Sequence, residues 1–249
     1  MNCEAVVQHL VNWLQERVKE AGASGVVLGV SGGLDSAVAA VIAKKAFGEK
    51  CMALLLPCES NITDLMHSQI LVEKFRVPYR VVDLDNAYNL LLTKFESYLK
   101  LDGTKGKLLR ANIKPRLRMM ALYYSAQARN YLVLGTSNKS ELAVGYSTKH
   151  GDIGVDLQLL GDLLKREVYE LARFLGVPRV IIEKPPSGGL WPGQTDEEEM
   201  GLTYEDLDDF LDGLPVGPEV AAKIERLIAT NYHKTIPPPL AYISDELKS

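Results

Sequence analysis

The chain has 249 residues, 47% of them hydrophobic and 24% charged, a balance that excludes intrinsic disorder and the fibrous classes. Its formal net charge of −4 argues against a broadly basic nucleic-acid-binding surface, and no apolar run approaches the length of a membrane span. One large domain covering 1–249 is therefore expected. The opening Met1-Asn2-Cys3-Glu4 is unlike a charged-then-apolar secretion signal, so cytoplasmic residence is expected. Cys3, Cys51 and Cys58 form neither a CxxC pair nor a metal-ligand spacing. Cys51 opens an apolar strand-like run and reads as a buried free thiol.

Val7, Leu10, Val11, Leu14 and Val18 recur at helical spacing and predict an amphipathic helix over 4–20. Val26-Val27-Leu28-Gly29-Val30 is a short β-branched run that reads as a buried parallel strand. A glycine loop follows, and then a helix from Ala37 to Lys45. The pattern repeats with strands over 52–56, 79–83 and 131–135. Helices are predicted over 62–75, 86–98 and 112–129, with a mobile loop at 101–111. Strands alternating with helices imply a doubly wound, mostly parallel sheet with helices on both faces. Beyond 145, turns at 151–162 lead to a helix over 165–175 and a loop at 184–202. Short helices over 203–211 and 218–230 then read as a helical C-terminal extension. The apolar stripe Met119, Met120, Leu122, Tyr123 and Tyr124 fits either the core or a dimer face.

The loop Ser31-Gly32-Gly33-Leu34-Asp35-Ser36 joins the first strand to the next helix, where the chain direction across the sheet is expected to reverse. Glycines let the backbone approach phosphate oxygens, and the helix N-terminus adds free N–H donors and a favourable dipole. The loop lacks the Lys-Ser/Thr ending of a P-loop, which disfavours γ-phosphate transfer. It also lacks the third glycine of the dinucleotide fingerprint. Asp35 would repel phosphate unless a cation lay between them, which implies Mg²⁺ bridging Asp35 and a pyrophosphate. The plainer alternative is a glycine turn with Asp35 or Ser36 as the helix cap.

Residues 31–36 resemble the signature of the N-type ATP pyrophosphatase superfamily. Its members adenylate a carboxyl or carbonyl oxygen and displace AMP with a nitrogen or sulfur nucleophile. Four later blocks resemble NAD synthetases of the ammonia-dependent type: Asn112-Ile113-Lys114-Pro115-Arg116-Leu117-Arg118-Met119, Leu134-Gly135-Thr136-Ser137-Asn138-Lys139-Ser140-Glu141, Thr148 through Asp156, and His233-Lys234. The resemblance implies an adenine nucleotide alpha hydrolase-like fold with five strands, and ATP held by Gly29, Val30, residues 31–36, Thr136, Lys165 and Ser187. It implies deamido-NAD contacts at Arg116, Lys149, Asp156, His233 and Lys234, with Mg²⁺ on Asp35 and Glu141. Asp152 is read as a carboxylate that orients or deprotonates ammonia, and Lys165 as an ATP-phosphate lysine acting in catalysis. Taken alone, Glu141 also fits a first-turn helix acid, and Arg118 a solvated helix end.

The chain departs from the family pattern at His150, where an aromatic is usual, and at Ile153, where glycine is usual. Ser187 stands in place of a common threonine, and Thr235 in place of arginine. Gln194-Thr195-Asp196-Glu197 reads as a lid segment and Tyr204 to Asp209 as a capped helix. The expected reaction is ATP-dependent amidation of deamido-NAD through an acyl adenylate, releasing AMP and pyrophosphate. The length leaves no room for a glutaminase domain with its own nucleophile, so ammonia, free or delivered by a partner chain, is the expected nitrogen source. A homodimer is expected from the family. The competing reading is a tRNA thiolase or lysidine-type ligase, which would call for a basic surface or paired cysteines. A nucleotide-binding module without catalysis would keep the loop and lose the metal acids.

Overall fold

In the computed structural model, which describes residues 1–191 and 193–248, β1 (Gly25–Gly29), β2 (Cys51–Leu55), β3 (Tyr79–Val81), β4 (Tyr131–Gly135) and β5 (Leu157–Gln158) form one sheet. Their order is β3-β2-β1-β4-β5 and every pairing is parallel. Successive side chains on a strand point to opposite faces. Val26, Leu28, Ala53, Leu55 and Leu134 accordingly enter one apolar cluster, and Val27, Leu54 and Val133 enter another. Both faces need covering, which is why the strands read as unbroken apolar runs.

The first face is covered by α1 (Cys3–Glu20), α2 (Leu34–Phe47), α3 (Ile62–Lys74), α8 (Lys165–Leu175) and α9 (Arg179–Ile182). α2 is buried on every side from Ala37 through Ala43, and its alanines let α1 and α8 approach closely. The second face carries α4 (Asp85–Glu96) and α6 (Ile113–Arg129), with α5 (Gly103–Ala111) against α6. The C-terminal helices α10 (Asp196–Met200), α11 (Tyr204–Leu211) and α12 (Pro218–Asn231), with α7 (Lys139–Val144), enclose a third cluster around Val144, Leu207 and Ile224.

Chain order moves from β1 outward to β2 and β3, then returns to β4 on the other side of β1. The loops leaving β1 and β4 therefore part at their C-terminal ends and open a crevice.

Three expectations need correction. Residues 103–111, read as a loop, form α5; Lys105, Lys107, Leu108 and Leu109 favour a helix, and Arg110 Nε donates to Glu96 at 2.6 Å, tying it to the end of α4. The turn region 151–162 contains β5, too short to show alternation. Within 184–202, Thr195 accepts from the Glu198 amide and starts α10. The α6 stripe divides: Met119 and Leu122 are core, whereas Met120 and Tyr124 are 67% and 80% exposed.

Cys51 and Cys58 are buried, and Cys3 is partly exposed. Burial pushes the Cys51 thiol up to about 12 and also raises Cys58. At pH 8 the Cys51 thiolate fraction is then about 10⁻⁴, against roughly a quarter for an ordinary thiol. Titration of the native protein with a chromogenic disulfide at pH 8 is expected to modify Cys3 alone within minutes. Guanidinium should release the other two. Prompt native labelling of Cys51 would contradict its burial.

Candidate active site

The glycine loop leaves β1 and turns against α3. Gly32 has φ +79°, and a β-carbon there would collide with the Asp64 carbonyl oxygen. Ser36 Oγ braces the loop by accepting from the Ser31 amide at 3.2 Å and donating to the Gly33 carbonyl at 3.1 Å. Gly33 is the N-cap of α2 and supplies no side-chain cap. The first amides of that helix are thus left for a ligand.

Asp35 projects from the first turn of α2 toward the loop that follows β4. Its Oδ1 accepts from Asn138 Nδ2 at 2.8 Å, and its Oδ2 accepts from Lys165 Nζ at 2.5 Å. Lys165 Nζ also donates to Glu141 Oε1 at 3.3 Å. Asn138 and Glu141 form a reciprocal capping box at the start of α7, which fixes the Glu141 side chain. Tyr204 Oη adds a 3.3 Å hydrogen bond to Glu141 Oε1, and the Tyr204 ring lies 4.9 Å from the lysine ammonium.

Burial, aided by Asp35, pushes the Glu141 carboxyl up to about 8. Burial acts to lower Lys165, but Asp35 and Glu141 outweigh it and hold the ammonium above its usual range. Two partly exposed carboxyl groups thus share one buried lysine, in an arrangement that favours further positive charge.

The crevice beyond them is a cavity of about 500 Å³, a volume suited to a nucleotide-sized ligand. Of the sequence-predicted ATP residues, Gly29, Val30, Ser31, Gly33, Asp35, Ser36, Thr136 and Ser187 line it. Glu141, Asp152 and Lys234 line it as well. Gly32 and Leu34 do not: the first packs on α3 and the second is core. Lys165 is not among the lining residues; it is 2% exposed and donates to both Asp35 and Glu141.

The predicted dinucleotide residues gather at the rim. Arg116 Nε donates to the Lys149 carbonyl at 3.2 Å, and Lys149 Nζ to the His233 carbonyl at 2.7 Å. Lys234 Nζ donates to the Gly145 and Ser147 carbonyls, and burial lowers its ammonium. Asp156 stands apart, its carboxylate accepting from the Val133 amide and Tyr123 Oη. Asp152 Oδ1 accepts from the Thr148 amide at 2.9 Å, and burial raises its carboxyl above the usual range. His150 adopts positive φ at an exposed turn.

A model of the NAD synthase family matches residues 6–238. The chain belongs to that family. It is similar to an NH(3)-dependent NAD(+) synthetase of Syntrophomonas wolfei, with 72% identity over the full length of both chains. Among solved structures it resembles an NMN synthetase from Francisella tularensis, with TM-score 0.92 and 38% identity over 98% of this chain and all of that one. It also resembles an NH3-dependent NAD synthetase from Campylobacter jejuni in complex with nitrate, with TM-score 0.79 and 30% identity over 97% of this chain and all of that one.

Several residues that shape the site carried no functional reading in the sequence. Asn138 grips Asp35, and the spacing Asn138-x-x-Glu141 was the available signal, since it is that of a capping box. Arg118 does not end in solvent: it donates to the Leu56 carbonyl at 3.1 Å and to Ser60 Oγ at 3.1 Å, and burial lowers its guanidinium. Asp196, read as part of a lid, is 4% exposed and accepts from Tyr146 and Tyr204. No local pattern announces the contacts of Arg118 or the Asp196–Tyr146 bond, because those partners lie 50 or more positions away.

Proposed function

We propose that the chain is an ammonia-dependent NAD synthetase that acts as a single unit over 1–249. It adenylates the nicotinate carboxylate of deamido-NAD with ATP, then lets ammonia displace AMP. The observation that carries the reading is the Asp35–Lys165–Glu141 cluster beside a glycine loop whose helix amides are free. A triphosphate resting on those amides would put its negative charge beside Lys165. As the bond between α and β phosphates breaks, charge grows on the leaving pyrophosphate, where fixed positive groups act most strongly.

The donor set fits Mg²⁺. No group of three metal-binding side chains is found among the described residues, and Mg²⁺ is commonly held by one or two carboxylates with phosphate and water. Asp35 and Glu141 would hold it; when bound it supplies charge neutralisation at the polyphosphate. At the rim, Arg116, Lys149, His233 and Lys234 would hold the dinucleotide, relieving repulsion between two anionic substrates. Asp156 would orient Tyr123 on the same side. Asp152, its carboxyl raised by burial, is suited to take a proton from ammonium or the attacking amine. Cytoplasmic residence is part of the proposal; among the described residues, no helix is long and apolar enough to cross a membrane.

A second reading is amidation of the mononucleotide instead of the dinucleotide. It is favoured by the TM-score of 0.92 to the Francisella tularensis NMN synthetase, against 0.79 to the Campylobacter jejuni enzyme. The two readings share the adenylation site and differ only in what fills the rim. Comparing kcat/KM for deamido-NAD and for nicotinate mononucleotide, with ATP and ammonium, separates them. The dinucleotide should lead by at least about tenfold, or about 1.4 kcal/mol. The reverse order would replace the proposed substrate with the mononucleotide.

We further propose a homodimer through the exposed part of α6, where Met120 and Tyr124 stand next to the partly buried Tyr123. Met120 and Tyr124, one turn apart on the same helix, would supply the apolar part of such a contact. The double substitution Met120→Glu with Tyr124→Glu should halve the mass seen by sedimentation equilibrium. An unchanged mass would place the contact elsewhere.

A further inference from the structure

Lys165 is the first residue of α8, a poor place for a cation because the helix dipole puts partial positive charge there. It is also 2% exposed. Its ammonium is compensated by Asp35 and Glu141, but the backbone that presents it needs a separate anchor. Leu164, the N-cap, offers no side-chain cap. The first two amides of α8 turn instead to other elements. The Lys165 amide donates to Ser140 Oγ at 3.1 Å, and the Arg166 amide to Asp208 Oδ2 at 2.9 Å. Ser140 Oγ in turn donates to Asp208 Oδ1. Ser140 and Asp208 are 0% and 1% exposed, so water does not substitute for these bonds.

One carboxylate on α11 thus caps α8 from another part of the chain. Through the Ser140 hydroxyl it also ties that helix to α7, which carries Glu141. Tyr204, one turn earlier on α11, reaches the same place by a different route, contacting Glu141 and stacking on Lys165. We infer that Asp208 is a positioning residue for the reaction: it holds the start of α8 so that Lys165 stays on Asp35 and Glu141. α11, which lines none of the cavity, then serves the adenylation step without touching substrate. The inference rests on the proposed role of Lys165 at the polyphosphate.

A double-mutant cycle in the full chain tests it. Asp208→Ala removes both acceptors, and a shift of about 1 Å at a reacting group lowers rates by about 10²-fold. A fall in kcat of about 10- to 100-fold is expected, with KM for ATP and dinucleotide within about threefold. Asp208→Asn keeps one acceptor for the Arg166 amide and should recover part of the loss. In a Lys165→Ala chain, whose rate stays measurable after a loss of about 10²–10³, Asp208→Ala should lower kcat less than twofold. Equal loss in both backgrounds, or no loss of kcat in the single variant, would overturn the inference and leave Asp208 a folding residue. If Lys165→Ala alone keeps full activity, the site reading itself fails, and the inference falls with it. Should Asp208→Ala not fold, Ser140→Ala and Asp208→Asn carry the same cycle.

Discussion

Asp35→Asn is expected to lower kcat by about 10²–10³-fold, the loss typical of removing one fixed electrostatic element from a transition state. Asparagine has the shape of aspartate, so the substitution isolates the charge. Asp35 Oδ2 lies 2.5 Å from Lys165 Nζ, and Oδ1 accepts from Asn138 Nδ2. An amide can satisfy only one of those donors. Lys165 would then rest on Glu141, 3.3 Å away, whose carboxyl is no longer pushed up by the Asp35 charge, so the ammonium keeps an anionic partner and the fold should survive. The metal requirement should shift as well, with the Mg²⁺ concentration for half-maximal rate rising several-fold. Steady-state AMP release across an Mg²⁺ series measures both effects. An unchanged rate and unchanged Mg²⁺ dependence would reduce Asp35 to a helix-terminal acid.

Gly32→Ala is expected to damage fold and activity together. The position has φ +79°, a conformation that costs an L-residue about 1–3 kcal/mol. The new methyl would also meet the Asp64 carbonyl and the His67 side chain, so loop and α3 must separate. Ser68 Oγ, donating to the Val30 carbonyl at 3.0 Å, would be strained by that separation. A fall in Tm of about 4–10 °C follows for a chain of this size, with loss of most ATP-dependent activity. Gly213→Ala is the control: φ is +74° and nothing lies within 4 Å of the added carbon, so strain acts alone. That control should show the strain alone, about 2–4 °C in Tm for each kcal/mol, fall less than Gly32→Ala, and keep full activity. Equal behaviour of the two variants would mean that the loop's contact with α3 is not needed.

The parallel strands and their crevice were legible because β-branched runs and turn residues are local signals. The alanine-rich α2 was legible for the same reason. β5 was not, since two residues cannot display an alternating pattern. α5 was hidden by Gly103 and Gly106, which punctuate an otherwise helix-forming stretch. In the site, Asp35 was conspicuous as an acid in a phosphate loop, and Glu141 emerged through resemblance. Lys165 was matched as a phosphate lysine, yet nothing local foretold that it would sit under Asp35, 130 positions away. Arg118, Asp196 and Asp208 stayed silent for that reason: their roles are written in contacts that only the closed fold creates. Asp156, assigned to substrate by resemblance, also accepts from the Val133 amide and Tyr123 Oη, contacts that no local signal foretold.

The central claim is that the nicotinate carboxylate itself attacks the α-phosphate of ATP. Deamido-NAD carrying ¹⁸O in both carboxylate oxygens, turned over with ATP and ammonium, tests it by mass spectrometry of the nucleotide product. Adenylation followed by amide formation leaves one carboxylate oxygen on phosphorus, so AMP should carry a single ¹⁸O and pyrophosphate none. Unlabelled AMP, or ADP with labelled orthophosphate, would contradict the account.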